Sequence, residues 1–221
     1  FCRNSLTKQQ WAHTPDLYQG DAAVTSRGPH NYGPARRVAE KPFIIVYGTQ
    51  GGSSSSSLLL QFAVYIANQF FATSDTLVPI LEDDRISEKE YESNNLIIIG
   101  GPKENSKAGL FLTFLSNLTV DFEKSELSLG IGCDYRAPQT GILTLAPHGS
   151  QGLALLLMGL STSGLEDVVK LATPTIPPMA RSPFSNLLPD FVITGPETGL
   201  KGPGGFLNKN DTDNLQSIIS N

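Results

Sequence analysis

The stretch Lys41–Ala72 constrains the fold more than any other part of the chain. It opens with a continuous apolar run rich in β-branched residues, the pattern of a strand buried on both faces. A glycine- and serine-rich turn follows from Gly48 to Ser57, and then an almost wholly apolar segment, Leu58–Ala72, long enough for about four helical turns. Because a strand, a glycine-rich turn and a buried helix open an α/β unit, this stretch predicts that class of fold.

Later segments repeat the pattern. Asn95–Gly100 and Thr140–Ala146 are predicted buried strands that end in glycine turns, and Lys107–Leu118 and Leu153–Leu160 are predicted apolar helices. The other predicted elements are an edge strand at Leu77–Leu81, a short helix capped by Ser87 and Glu90, antiparallel strands in Val120–Cys133, a helix over Leu165–Ala172 and a strand at Pro189–Thr194. We predict a three-layer α/β fold, Rossmann-like or flavodoxin-like, with a mostly parallel sheet and an antiparallel insertion.

The pattern divides the chain into two parts. Residues 1–40 lack a sustained period and contain several prolines and glycines, so we expect an extended arm or linker. Residues 41–221 form the predicted α/β domain, with a proline-rich loop at Pro174–Pro189, a glycine-rich loop at Gly195–Gly205 and a polar tail from Asn208. A chain of 221 residues can bury a core without metal or disulfide staples.

Composition excludes some classes of function. The formal net charge of −5 argues against a nucleic-acid binder, which shows a basic stripe. No apolar run reaches the roughly 18 residues that a transmembrane helix needs. His13 and His30 lie in a predicted loop, and two histidines make no metal site without further ligands, so we predict no metal. We also predict no cofactor. Whether Cys2 and Cys133 pair stays open.

Two glycosylation sequons favour a secreted protein. They are Asn117-Leu-Thr and Asn210-Asp-Thr, and both lie next to predicted element ends. The chain opens at Phe1 without a signal peptide, so we expect residues upstream of it.

The first glycine turn is a candidate ligand-binding loop. It follows a buried strand, at the carboxyl edge where open α/β sheets usually bind ligands, and precedes a helix whose N-terminus favours anions. The turn matches neither the dinucleotide fingerprint nor the Walker loop, and a structural turn is the simpler interpretation. Its residues are Gly48, Thr49, Gln50, Gly51 and Gly52.

Two serine arrangements are weak candidates for catalysis. Ser150 lies in the turn His148–Gly152, between a predicted strand and a predicted helix, where hydrolases of the α/β type carry their nucleophile. No histidine follows it, so a helix cap is the better interpretation. The other set combines a serine such as Ser53, Asp83 or Asp84, and His148, all expected at strand carboxyl ends.

Three segments carry a resemblance to a known domain. Gly33-Pro34 followed by Lys41–Thr49, then Asn95–Asn105, then Leu188–Val192, resemble the accessory α/β domain of large secreted proteins that also contain a prolyl-oligopeptidase-like hydrolase module. The resemblance covers roughly residues 33–208. It implies that this chain is one piece of a longer polypeptide and that the catalytic serine belongs to the other module.

The function expected first is therefore that of an accessory, non-catalytic domain that acts in domain packing or interaction. A serine hydrolase that uses the glycine-turn loops and a small-ligand or carbohydrate-binding module are the alternatives. The helix Leu58–Ala72 has no charge and only a narrow polar stripe of Gln61 and Asn68. We therefore expect a partner, either a neighbouring domain or a second copy, unless other parts of the chain cover this helix.

Overall fold

The computed structural model describes residues 34–112, 118–121, 124, 126–129, 133–149, 151–174 and 188–210. Its strands are β1 Phe43–Tyr47, β2 Ile80–Glu82, β3 Asn95–Ile99, β4 Leu118–Asp121, β5 Glu126–Leu129, β6 Cys133–Tyr135, β7 Gly141–His148, β8 Gly152–Gly159, β9 Phe191–Thr194 and β10 Asn208–Asn210. Its α-helices are α1 Ser53–Ser74, α2 Glu88–Ser93, α3 Ala108–Leu112, α4 Thr162–Leu171 and α5 Thr198–Lys201, and its 3-10 helices are η1 Ala35–Glu40 and η2 Gly202–Gly205.

The main sheet has seven strands in the order β10-β9-β7-β8-β3-β1-β2. The pairs β1–β2, β1–β3 and β3–β8 are parallel, whereas β7 runs antiparallel to both β8 and β9, and β10 antiparallel to β9. A second sheet, β4-β5-β6, is antiparallel. The predicted α/β fold with a mostly parallel sheet and an antiparallel insertion is confirmed.

Apolar residues bury both faces of the sheet centre. Every residue of β1, β3 and β7 is buried, as expected for strands covered on both sides. One core lies between the sheet and α1, α4 and η1. The other lies between the sheet and α3 with the small sheet, including the fully buried Phe111 and Leu127.

The prediction of a helix over Leu153–Leu160 is wrong. This segment is strand β8, in the middle of the sheet, and Leu153–Met158 is buried throughout. A short run of apolar residues shows neither the helical nor the strand period, so periodicity alone does not separate a buried strand from a buried helix. The flanking glycines, Gly152 and Gly159, and the length of eight residues fit a strand.

That correction changes the turn His148–Gly152, which joins two antiparallel strands and does not lead into a helix. The helix predicted over Lys107–Leu118 is α3 at Ala108–Leu112, and Leu118 already begins β4. The tail predicted from Asn208 begins with the edge strand β10.

Some element ends differ from the predicted ones. α1 begins at Ser53 and not at Leu58. At the end of the predicted arm, η1 buries Ala35 and Val38 in the core beneath α1 and α4. The rest of the arm and most of the proline-rich loop lie outside the described residues. The capping box of Ser87 and Glu90 is formed as predicted.

Candidate functional site

The carboxyl ends of β1, β2 and β3 meet at one edge of the sheet. We call the residues there the loop cluster, which comprises Gly48–Gly52 after β1, Asp83 after β2 and Gly100–Ser106 after β3. It is where the sequence predicts a ligand site, so its hydrogen bonds decide what it can bind.

Asp83 joins the three loops. Its carboxylate is fully buried, and Oδ1 accepts hydrogen bonds from the Thr49 backbone N–H at 2.9 Å and the Thr49 hydroxyl at 2.7 Å. Oδ2 accepts from the Ser106 N–H at 2.6 Å. Burial alone raises the pKa of Asp83, but these hydrogen bonds outweigh it and hold the pKa below its usual value. Asp83 therefore links the loops through charged hydrogen bonds and acts as a structural brace, because both of its carboxylate oxygens accept from protein donors.

The predicted ligand loop is also held by the protein. The Gly48 N–H donates to the Ile99 carbonyl at 3.2 Å, and the Gln50 N–H donates to the Glu104 carbonyl at 2.8 Å. A Cβ on Gly48 would lie 2.2 Å from the Glu104 oxygen, so close approach of two loops requires glycine there. With the bond from Thr49 to Asp83, the first three N–H groups of this loop already have acceptors.

Asn105 also links these loops, although no pattern in the sequence predicts its role. Its buried amide donates to the carbonyls of Val46 at 3.1 Å and Ile99 at 3.0 Å, and its Oδ1 accepts from the Lys107 N–H. Asn95 does the same at the opposite edge, where its side chain binds the Val38 carbonyl and the Leu153 N–H. Buried amides often serve this purpose, because they satisfy backbone groups at strand ends.

The serine-rich end of α1 lies beside the loop cluster. Gly52 precedes the helix with a φ of +84°, a conformation that favours glycine. Ser53, the weak candidate nucleophile, is exposed, and the Ser56 hydroxyl donates to the Gly52 carbonyl at 2.9 Å. Asp84 is also exposed, next to the buried Asp83.

His148 does not join these groups. It ends β7, which runs antiparallel to β8, so it lies at the amino edge of β1, β3 and β8, opposite the loop cluster. The expected set of Ser53, Asp83 and His148 is therefore not assembled. The sequence predicts a helix where β8 lies, and a helix there would make β7 a parallel strand with His148 at its carboxyl edge. Because β8 is a strand antiparallel to β7, His148 lies at the other edge.

The surroundings of His148 are aromatic. Its Nε2 lies 2.5 Å from the Tyr91 carbonyl oxygen, so this nitrogen carries the proton, and its ring packs edge-on against Tyr91 and beside Phe111. Burial lowers the pKa of His148, against smaller opposing effects of the Tyr91 hydrogen bond and Glu92. The side chain is a neutral component of the core.

The remaining predicted site residues are less informative. Ser150 and Asn117 lie outside the described residues, as does Cys2. Asn210 lies in the edge strand β10, and Cys133 in β6. The turn that contains Ser150 has described ends, His148 and Gly152, which pair between β7 and β8.

A further feature lies outside the loop cluster. It is the outer face of α1, by which we mean the exposed residues on the side of the helix turned away from the sheet. α1 buries one stripe against the sheet, made of Leu59, Ala63, Ile66 and Phe70. Its outer face carries four large apolar side chains, Leu60 (37% exposed), Val64 (41%), Tyr65 (41%) and Phe71 (52%). Gln61 and Asn68 share this face, and no charged residue occurs in the helix.

A cavity of about 400 Å³ opens near the amino edge, between η1 and the C-terminal ends of α1 and α4. Its wall combines apolar with polar and charged side chains, among them Val38, Phe70, Leu155, Ala172 and Leu188 on the apolar side and Arg36, Glu40 and Thr73 on the polar side. This volume lies within the range of small-molecule sites. The cavity is on the edge opposite the loop cluster.

The fold and these sites define an α/β domain without an assembled catalytic set among its described residues. The chain matches no protein-family model and no curated protein. In the described part of the chain, no helix is long and apolar enough to span a membrane, and no group of three or more His, Cys, Asp or Glu residues could hold a metal ion.

Proposed function

We propose that this chain is an accessory, non-catalytic α/β domain that binds a partner, either a neighbouring domain or a second copy, through the outer face of α1. The single observation that carries the proposal is that this face exposes Leu60, Val64, Tyr65 and Phe71 while the whole helix lacks charge. A helix at a solvent-exposed surface normally has a broad charged face. Contiguous apolar surface rimmed by polar residues is typical of protein–protein contact sites.

The neighbouring helix on the same side of the sheet shows the usual pattern. The outer face of α4 carries the ion pair of Glu166 and Lys170, 2.9 Å apart. Both helices expose one face to solvent, and only α4 carries charged residues there. A general shortage of charge therefore does not explain the apolar face of α1. A partner that covers α1 does.

The state of the loop cluster supports a non-catalytic role. A general base needs a free acceptor near the nucleophile, and Asp83 has both oxygens bound by Thr49 and Ser106. A serine-directed fluorophosphonate probe is the direct test. We expect no labelling of the folded chain, whereas stoichiometric labelling at Ser53–Ser57 or at Ser150 would favour the hydrolase alternative.

The resemblance to accessory domains of prolyl-oligopeptidase-like proteins supplies the wider context of this proposal. In that context the chain is secreted, belongs to a longer polypeptide and carries sugar at Asn117 or Asn210. Glycosidase treatment of the natively produced protein tests this part, and an unchanged mass would contradict it.

Light scattering over a concentration series tests the partner surface. The wild-type chain is expected to self-associate, or to stay monomeric while binding a hydrophobic dye. A double variant, Leu60→Lys with Phe71→Lys, is expected to lose both properties and remain folded. Leu200→Lys is a suitable control, because Leu200 is 92% exposed in α5 and far from α1 in the sequence. A wild-type monomer that binds no dye would contradict the proposal.

The cavity near the amino edge favours a second function, the binding of a small ligand that has both apolar and polar groups. Its walls offer apolar contacts from Phe70 and Leu155 and the hydroxyl of Thr73 at its rim. A thermal-shift screen with sugars and small apolar compounds tests it. Ala172→Phe should abolish any stabilisation, since the added ring would fill the cavity, and a shift that survives this substitution would place the ligand elsewhere.

A further inference from the structure

We propose that the partner of the α1 face is a second copy of this chain, joined through antiparallel pairing of strand β2 with the same strand of the copy. The proposal rests on the proposed function, because it identifies the partner of that surface and adds the edge of the sheet to it.

Strand β2 is a terminal strand with backbone groups available for pairing. On its inner side, the Ile45 N–H donates to the Pro79 carbonyl at 3.0 Å, and the Asp83 N–H donates to the Tyr47 carbonyl at 3.0 Å. Alternate residues of a strand direct their backbone groups to opposite sides, so Ile80 directs both its N–H and its C=O away from β1. Among the described residues, neither group has a hydrogen-bond partner.

Proline often protects a sheet edge, but Pro79 does not protect this one. Its carbonyl accepts from β1, so its missing N–H also lies on the side of β1 and removes nothing from the outer edge.

The exposed apolar residues of α1 fall mainly on one flank of the helix. At 100° per residue, Leu60, Val64 and Phe71 fall within about 40° of one another, and Tyr65 is about 100° further round. Leu60, Val64 and Phe71 therefore form one uncharged apolar flank.

Leu77 lies in the segment that connects α1 to β2 and is 83% exposed. Together the flank of α1, Leu77 and the outer edge of β2 give one surface that combines apolar side chains with backbone donors and acceptors. An extended strand meets both requirements at once.

The β2 strand of a second copy supplies an extended strand whose backbone groups are complementary to those of β2. In an antiparallel pair centred on Ile80, the two Ile80 residues exchange N–H···O=C bonds. A twofold axis perpendicular to the sheet keeps both α1 helices on the same face of the joined sheet, so their uncharged flanks meet. Glu82 is the one charge in β2, and it is neutralised by Arg85 at 2.6 Å and bound by the Tyr47 hydroxyl at 3.0 Å. Like charges therefore do not oppose the pairing.

The test is size-exclusion chromatography with light scattering on the 221-residue chain, over a dilution series. Ile80→Pro removes the outward N–H from the edge, Leu77→Glu places a charge beside it, and Leu200→Glu is the matched exposed control at a distant site. Circular dichroism checks that each variant is folded. We expect a wild-type dimer, an unchanged Leu200→Glu dimer, and at least about a tenfold rise in the dissociation constant for both edge variants. If Ile80→Pro does not fold, Leu77→Glu carries the test alone.

Three results would overturn the proposal. A dimer that both edge variants leave intact would exclude pairing through β2. A wild-type monomer that binds a hydrophobic dye would show that the α1 surface has another partner, which leaves the proposed function standing. A wild-type monomer that binds no dye would contradict both.

Discussion

The loop cluster and the outer face of α1 lie next to each other and differ in whether their side chains have partners within the described chain. In the loop cluster, Asp83 and Asn105 bind the backbone of the loops around them. On α1, Leu60, Val64 and Phe71 are exposed without a counterpart among the described residues. The difference teaches that polar residues at strand ends can be fully used by the fold itself, whereas exposed apolar residues on a long helix still need an explanation.

This comparison predicts two separable kinds of effect. Substitutions in the loop cluster should reduce stability without changing association. Substitutions on the outer face of α1 should change association without reducing stability. The predictions below run from the largest expected change in the free energy of unfolding to the smallest.

Gly48→Ala should have the largest effect. Its Cβ would lie 2.2 Å from the Glu104 carbonyl oxygen, which belongs to the backbone and cannot rotate away. We expect a loss of about 3 kcal/mol in the free energy of unfolding, measured by urea denaturation. Gly199→Ala is the control, because nothing lies within 4 Å of the added Cβ. Equal stability of the two variants would mean that the loops are held less tightly than described.

Asp83→Asn should cost about 2 kcal/mol at neutral pH, because an amide nitrogen would face a backbone donor and the charged hydrogen bonds would be lost. The pKa of Asp83 is lowered in the folded state, so its contribution is present above the unfolded pKa and is lost as pH falls through the folded pKa. The difference between wild type and variant should therefore shrink on acidification. A constant difference in unfolding free energy from pH 7 to pH 3 would argue against the brace.

His148 should make the free energy of unfolding depend on pH in a range above that of Asp83. Its pKa is lowered by burial, so the unfolded chain binds a proton more readily than the folded chain does. The wild-type free energy of unfolding should fall as pH drops below about 6.5, the usual histidine value. His148→Gln should flatten this part of the profile, measured by thermal denaturation at fixed salt. An unchanged slope in the variant would assign the dependence to another group.

Val64→Glu should change the free energy of unfolding by no more than about 0.5 kcal/mol, as is usual for exposed positions without buried contacts. Its effect should appear in association and not in denaturation. A large loss of stability would instead mean that Val64 packs within the chain. Ala63→Glu provides the contrast, because Ala63 is about 100° round the helix from Val64 and fully buried, so a charge there should prevent folding.

The sequence predicted most of the fold because its strongest patterns are local. β1 and β3 are continuous apolar runs, and the capping box of Ser87 lies within four residues. It misread β8, where an all-apolar run carries no period, and that one error also moved His148 to the wrong edge.

The candidate site was harder to predict than the fold. The roles of Asp83 and Asn105 depend on contacts between loops that are distant in sequence, with Asp83 and Ser106 separated by 23 positions. Composition did indicate that α1 lacks charge. Only the structure separates its buried stripe from the exposed Leu60, Val64 and Phe71.

The central claim is that the surface which needs a partner is α1 and not the loop cluster. Fluorescence of a hydrophobic dye, measured at a dilution where each protein is monomeric, tests it most directly. We predict strong dye binding by the wild type and by folded Asp83→Asn, and weak binding by Val64→Glu. Equal dye binding by wild type and Val64→Glu, or the absence of binding by all three, would contradict the account.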